Sequence, residues 1–264
     1  MVVVSHNRLE LLRKCLESLE RSEGRERLQL IVVDNGSRDG SAQIDGDFPA
    51  VQFVRLPKDF GLTKALNLGW RAADAEYVFF LHEDTEVAPE AATRLADLLD
   101  ARPDAAAVCP LLVDAEGRPA LQLGTLPPDG TWRPAELRGT EPAEVEYPRG
   151  AALMVRVFLI KAMRQIDERY GQFGSDADIA AQVQRAAKKI LLAPDVRVTH
   201  HGGTRTAHER ADQLLGQAAF AGKYFGFGAG LKARLGSIFG PLAGFRFGEL
   251  RHTLSGQKID GTQQ

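Results

Sequence analysis

Polar side chains able to do chemistry gather at four places, each directly after an apolar run. Ser5, His6 and Asn7 follow residues 2–4, and Asp34, Asn35, Gly36 and Ser37 follow 28–33. Lys58, Asp59, Phe60 and Gly61 follow 51–56, and His82, Glu83 and Asp84 follow 77–81. Further along come Ser175, Asp176 and Asp178, then His200 and His201. Carboxylates in such a set suit a hard divalent ion, which binds carboxylate and phosphate oxygens and takes only one or two ligands from the protein. A carboxylate standing apart from them can serve as a general base. The sequence has no Gly-x-Gly-x-x-Gly and no Gly-x-x-x-x-Gly-Lys loop, so neither a dinucleotide fold nor a P-loop is supported.

The elements that must position these groups follow from periodicity. Leu9, Leu12, Leu16 and Leu19 form one apolar stripe, which predicts a helix over 8–22. Strands are expected at 2–5, 28–33, 51–56, 77–81, 105–113, 150–155, 189–192 and 196–199. Helices are expected at 62–75, 89–101 and 178–187, with a helix-rich tail after 203. Strands that alternate with helices and are apolar on both faces predict an α/β fold with a mostly parallel sheet covered on each side. In such a sheet, ligands bind beyond the carboxyl ends of the strands. The four polar stretches would then share one rim. Residues 114–147, with Pro119, Pro127, Pro128, Pro134 and Pro142, read as a long irregular excursion of the kind that forms lids or binding segments.

Composition narrows the class. The 264 residues, 44% hydrophobic and 26% charged, are those of an ordinary globular chain. A net charge of −2 gives no reason to expect nucleic acid. Cys15 and Cys109 sit in apolar segments without metal-type spacing and read as core residues of a reducing compartment. No apolar run reaches the length of a membrane span, and the run 1–4 is too short for a signal peptide, so a cytoplasmic location is expected. The net charge conceals a split. Residues 204–264 hold eight Lys/Arg against four Asp/Glu, hence +4, which leaves −6 for residues 1–203. Six of the 13 Phe also lie in that last stretch.

In their order along the chain, the motifs resemble those of the family-2 glycosyltransferases, which have the GT-A fold. The opening Val-Val-Val-Ser-His-Asn-Arg with its Leu-rich helix is similar to that family's first βα unit. The run from Ile31 through Asp34 to Ser41 resembles its second-strand signature, and Gly61 to Gly69, with Lys64 and Asn67, the following Gly…Asn-x-Gly helix. His82-Glu83-Asp84 sits where the family carries Asp-x-Asp or Asn-x-Asp. Gly150 to Arg156 and Asp195 to Gly203 resemble two later motifs.

The resemblance implies an inverting glycosyltransferase that uses a nucleotide-diphosphate sugar and Mn²⁺ or Mg²⁺. The acceptor would be a hydroxyl of a glycan or lipid-linked substrate in cell-envelope polysaccharide synthesis. Residues 1–113 would bind the donor, 114–203 the acceptor and the base, and 204–264 would be the helical tail. Asp34 would receive the nucleobase, near Ser5, His6 and Asn7, with Gly61, Lys64, Asn67, His82 and Glu83 completing the donor site. Asp84 and His200 would meet the metal, and Asp176 would be the base. Gly150, Ala151 and Ser175 would border the acceptor. Three positions depart from the family pattern. His82 replaces an acidic residue and, as a softer ligand, favours Mn²⁺. Ser175 stands in place of a Glu, and Asp59 in place of an Asn.

Other readings stand beside these. Asp34 could only shape a turn. Asp176 or Asp178 could only cap the helix that follows. Phe60 and Trp70 read as core. The tail over 214–252 reads either as a basic, Phe-rich membrane-surface element or as a terminal helical segment packed on the sheet. For the whole chain, the alternative is a non-catalytic nucleotide-sugar-binding or scaffold protein of the same fold.

Overall fold

The computed structural model describes residues 1–120, 123–126, 133–135, 139–203 and 205–259. Pro127 and Pro128 of the Pro-rich excursion, and tail residues 204 and 260–264, lie outside them. The elements run β1 (Val2–Ser5), α1 (Leu9–Glu20), β2 (Ile31–Asp34), β3 (Gln52–Arg55), α2 (Leu62–Ala72), β4 (Tyr77–His82), β5 (Thr85–Val87), α3 (Ala91–Ala101) and β6 (Ala105–Val113). Then come β7 (Leu123–Thr125), β8 (Arg133–Pro134), β9 (Ala143–Val145), β10 (Tyr147–Pro148), β11 (Ala152–Arg156), α4 (Val157–Ala162) and α5 (Ser175–Arg185). The chain continues with β12 (Lys189–His200), α6 (Ala207–Phe225), α7 (Phe227–Ala243) and α8 (Phe247–Ser255).

The main sheet has the order β3-β2-β1-β4-β11-β6-β12-β5, with β9 also paired to β12. β3, β2, β1 and β4 are mutually parallel, as are β6 and β12. β11 enters antiparallel between β4 and β6. This is the α/β sheet expected, with three reversed strands, β11, β9 and β5, as its new feature. A smaller antiparallel sheet, β10-β7-β8, is built from the Pro-rich excursion.

Successive strand residues feed two cores on opposite faces, which is why these strands read as unbroken apolar runs. Val2, Val4, Ile31, Val33, Val78 and Phe80 face one core. Val3, Val32, Phe79 and Leu81 face the other. The Leu stripe of α1 closes the second core, with Leu12, Leu16 and Leu19 fully buried, joined by Leu95 and Leu99 of α3. α2 and α5 cover the first core through Leu66, Trp70, Ile179 and Val183. Phe220 of α6 joins that core, so the tail begins as part of the fold.

The tail also folds back on the loops that precede α2 and α5. Asp212 accepts the backbone N–H groups of Gln172, Phe173 and Ile259 at 2.9–3.0 Å. A Cβ on Gly61 would lie 2.1 Å from the Ile259 carbonyl oxygen, so only glycine admits this approach. α7 is different. It buries only Ser237 and Pro241, and Phe227, Leu231, Leu235, Phe239 and Leu242 are exposed along it. No helix among the described residues is long and apolar enough to cross a membrane.

Candidate active site

The parallel register places the first polar residues side by side. Ser5 pairs with Asp34 across β1 and β2, and Val4 with His82 across β1 and β4. At the β1–β2 end the loops brace one another. His6 Nδ1 lies 2.9 Å from the Asn35 carbonyl oxygen, and Asn7 N–H donates to Ser37 Oγ at 2.9 Å. Asn7 Oδ1 accepts from Arg38 N–H at 2.7 Å. Asp34 is buried and its Oδ1 accepts from Ser37 N–H at 3.0 Å, so it does form the turn. Gly36 has φ +76°, and a Cβ there would stand 2.4 Å from Lys58 Cα. His6, Asn7, Gly36 and Arg38 line an open depression at this end of the rim.

On the other flank of β1, the β4–β5 turn gathers a second group. Ligand atoms of His82, Asp84 and His200 all lie within 4.8 Å of one another. Asp84 Oδ2 accepts from Arg8 Nη1 at 3.1 Å. Its Oδ1 is buried without a hydrogen-bond partner, and His200 Nε2 stands 3.3 Å away, out of hydrogen-bond geometry. Burial alone would push the Asp84 carboxyl up, but His200, His82 and Arg8 hold it below its ordinary value. Burial keeps His82 below the usual imidazole value, which favours the neutral ring a metal needs. An orphaned carboxylate oxygen facing two imidazoles is a donor set that a divalent cation fits.

The neighbours of this group are differently disposed. Glu83 is pushed up to about 7 by burial and by the adjacent Asp84, and it meets Arg8 at 3.7 Å. His201 turns away, its Nε2 2.6 Å from Glu86. Ala151 holds the turn in place by accepting His82 N–H at 3.0 Å.

On the other side, Asp176 lies in the first turn of α5, which begins three residues earlier than the expected helix. Gly174, not an acidic residue, is the N-cap. Asp176 Oδ2 accepts from Tyr147 OH at 2.9 Å and from Gly150 N–H at 3.3 Å. A Cβ on Gly150 would lie 2.9 Å from that of Asp176. Burial, with Asp176 nearby, raises the Tyr147 phenol far above its ordinary value, so it remains a donor. Ser175 is buried beside it. Asp176, Tyr147, Gly150, His82 and His200 line one cavity of about 170 Å³, joined by Arg149 and Arg205.

Three expected residues have their side chains engaged inside the fold. Asn67 is fully buried, and its amide binds Ile166 through both N–H and carbonyl, Glu168 and Trp70 at 2.8–3.0 Å. Lys64 sits over the Phe60 ring at 4.2 Å, and Phe60 is half-buried, whereas Trp70 is core. Asp178 binds Lys223 and Tyr224 of α6 at 2.7 and 2.6 Å. Sequence reasoning missed Arg8, Tyr147, Arg149 and Arg205. Arg8 carried a signal, since it continues the polar stretch after β1. Tyr147 carried none, being hidden in the Pro-rich segment.

Comparison with known proteins places the chain in a family and its fold among solved structures. The N-acetylglucosaminyl-diphospho-decaprenol L-rhamnosyltransferase of Mycobacterium tuberculosis (strain H37Rv) is 27% identical over 244 residues, covering 81% of this chain and 79% of that one. The fold superposes on GalNAc-T7, solved with UDP, GalNAc and Mn²⁺, with a TM-score of 0.69 at 17% identity over 84% of this chain. The chain spans about half of that protein, 47%. It also superposes on the mannosyltransferase PcManGT from Pyrobaculum calidifontis, solved with GDP-Man and Mn²⁺, with a TM-score of 0.61 at 17% identity, covering 97% of this chain and 72% of that one. Residues 1–158 match Glycosyl transferase family 2, and since that is more than half of the sequence, the chain belongs to this family.

Proposed function

We propose that the protein transfers a sugar, with inversion, from a nucleoside-diphosphate donor to a hydroxyl of a lipid-linked or glycan acceptor. One observation carries this reading. A carboxylate oriented by Tyr147 and Gly150 shares a cavity with His82 and His200, whose other neighbour is Asp84. The acceptor class is supported by the mycobacterial relative, whose name specifies a diphospho-decaprenol acceptor.

The chemistry follows from these residues. The acceptor oxygen attacks the anomeric carbon while Asp176 takes its proton, a contribution of typically ~10²–10⁴-fold. The anomeric bond to the diphosphate breaks on the opposite face, and the nucleoside diphosphate leaves with the bonding pair. Arg8, already beside Asp84, offers positive charge at that end. His82, Asp84 and His200 would hold Mn²⁺ or Mg²⁺, which supplies Lewis-acid stabilisation of the leaving diphosphate. At the β1–β2 end, Ser5, His6, Asn7 and Asp34 would contact the nucleoside.

The exposed Phe and Leu of α7 and α8, with Lys232, Arg246 and Arg251 exposed among them, support peripheral contact with an anionic membrane, where such an acceptor resides. The test is turnover of nucleotide sugars with a prenyl-diphosphate-linked acceptor and Mn²⁺. Transfer by wild type and its loss in Asp176→Asn are expected. Donor binding without transfer or hydrolysis under any metal would instead establish a non-catalytic binder.

A further inference from the structure

We propose that Arg149 and Arg205 form a phosphoryl-binding subsite beside Asp176, which receives the phosphate or diphosphate that joins an acceptor sugar to its lipid. The inference rests on the acceptor class proposed above and adds the recognition element for it. Both arginines line the cavity that holds Asp176. Arg149 immediately precedes Gly150, whose N–H binds the Asp176 carboxylate. Arg205 comes from the segment between β12 and α6, lies over the Phe173 ring at 4.8 Å, and donates to Gln213 Oε1 at 2.6 Å. The aromatic face and the amide fix where this guanidinium points.

Burial first, and then the charge of Arg149, hold the Arg205 guanidinium below its ordinary value, so a bound anion is favoured beside it. Asp176 is the one acidic residue among the described lining residues, and Tyr147 and Gly150 already orient it. Guanidinium is the group best matched to phosphoryl oxygens, because its planar fork binds them in pairs.

The rest of the wall identifies the source of the phosphoryl group. Leu62, Leu66, Leu126, Leu153, Ile179 and Phe220 surround the cavity with apolar surface. That is the environment of a hydrocarbon chain, not of a nucleoside. The donor diphosphate would have a cation of its own in Arg8, which meets Asp84 at the β4–β5 turn. A charged head on an apolar chain, with its sugar hydroxyl toward Asp176, satisfies both halves of the cavity.

Farnesyl diphosphate, farnesol and UDP serve as probes, each titrated by calorimetry into wild type, Arg149→Gln, Arg205→Gln and Arg205→Lys, with thermal melts to verify folding. Wild type is expected to bind farnesyl diphosphate at least tenfold more tightly than farnesol. Either Gln variant should reduce that preference at least fivefold, the Lys variant should retain part of it, and UDP affinity in the presence of Mn²⁺ should stay within twofold. No preference for the diphosphate over the alcohol in wild type would overturn the proposal. So would a comparable loss of UDP affinity in the Gln variants, which would assign the arginines to the donor. Binding requires no turnover. A protein that shows this preference yet transfers no sugar keeps the subsite and loses the transferase reading.

Discussion

Tyr147 donates its hydroxyl to Oδ2 of Asp176 at 2.9 Å, joining the small sheet of the Pro-rich excursion to the first turn of α5. The contact orients one carboxylate oxygen toward the Gly150 amide, and it fixes where the proton of an incoming hydroxyl would be received. Replacing Asp176 by Asn should therefore lower kcat by about 10²–10⁴-fold. Tyr147→Phe should lower it about tenfold, because the Gly150 bond remains. Steady-state kinetics with thermal melts check both, and equal activity in Asp176→Asn would remove this residue as the base.

Gly150 tests the same carboxylate from its other side. A Cβ there would stand 2.9 Å from Cβ of Asp176, closer than side-chain carbons approach each other. Gly150→Ala must shift α5 or rotate Asp176. A misplacement of about 1 Å at a reacting group can cost on the order of 100-fold in rate. The expected outcome is a kcat reduced 10-fold or more, by rough estimate, with a smaller effect on donor KM. A KM effect alone would place Gly150 at the donor instead.

The Asp84 group predicts a metal-dependent stability that needs no assay of turnover. A ligand at about a hundred times its dissociation constant stabilises by about 2.7 kcal/mol. In a chain of this size that raises Tm by about 5–10 °C. Mn²⁺ should raise the melting temperature of wild type, and should do so much less for Asp84→Ala or His200→Ala. Equal shifts in all three proteins would move the metal elsewhere.

How far the sequence could carry these conclusions differs residue by residue. The rim positions of Asp34 and Asp84 were legible because one buried strand ends at Asp34 and another two residues before Asp84, and the carboxyl ends of parallel strands form the rim. Asn67 was not. Its partners lie about a hundred positions away, at Ile166 and Glu168, and nothing local announces them. The strands expected at 189–192 and 196–199 are one strand, because register shifts around Lys189 and between Ala193 and Arg197 let the pairing with β6 continue past Pro194. The short strands β7 to β10, and with them Tyr147, were hidden because two- and three-residue pairings leave no periodic signal. The expected helix at 178–187 begins at Ser175, since Gly174 takes the left-handed conformation and starts it there.

Acid stability should report on the joint between α5, α6 and the loop before them. Burial pushes the Asp167 carboxyl up, but hydrogen bonds from Arg169 and Lys223 outweigh it and hold this group well below the usual carboxylate range. The folded value is depressed, so the stabilisation is present above the unfolded value of about 3.9 and is lost as pH falls through the folded one. Denaturant melts between about pH 6 and pH 2 should show wild type losing stability on acidification. Asp167→Asn should be less stable at neutral pH and should lose less on acidification. Parallel curves for the two proteins would show that the contacts of Asp167 with Arg169 and Lys223 contribute nothing.

The two readings of the tail can now be separated, because the structure divides it. α6 joins the sheet core through Phe220, and Ile259 returns to Asp212, so deleting the tail would damage the core. α7 and the start of α8 can be altered without that damage. Phe227, Phe239 and Phe247 are 83%, 59% and 63% exposed. Among the acidic residues nearby, Glu249 is buried and paired with Arg210 and Arg246, which leaves the outward charge positive. Changing these three Phe to Ser removes apolar surface that already meets solvent, so stability should change by no more than about 0.5 kcal/mol per site. Flotation with vesicles containing anionic lipid should then fall several-fold relative to wild type, and adding salt should weaken what binding remains. Flotation unchanged by the triple substitution would assign these aromatic side chains to some surface other than a membrane.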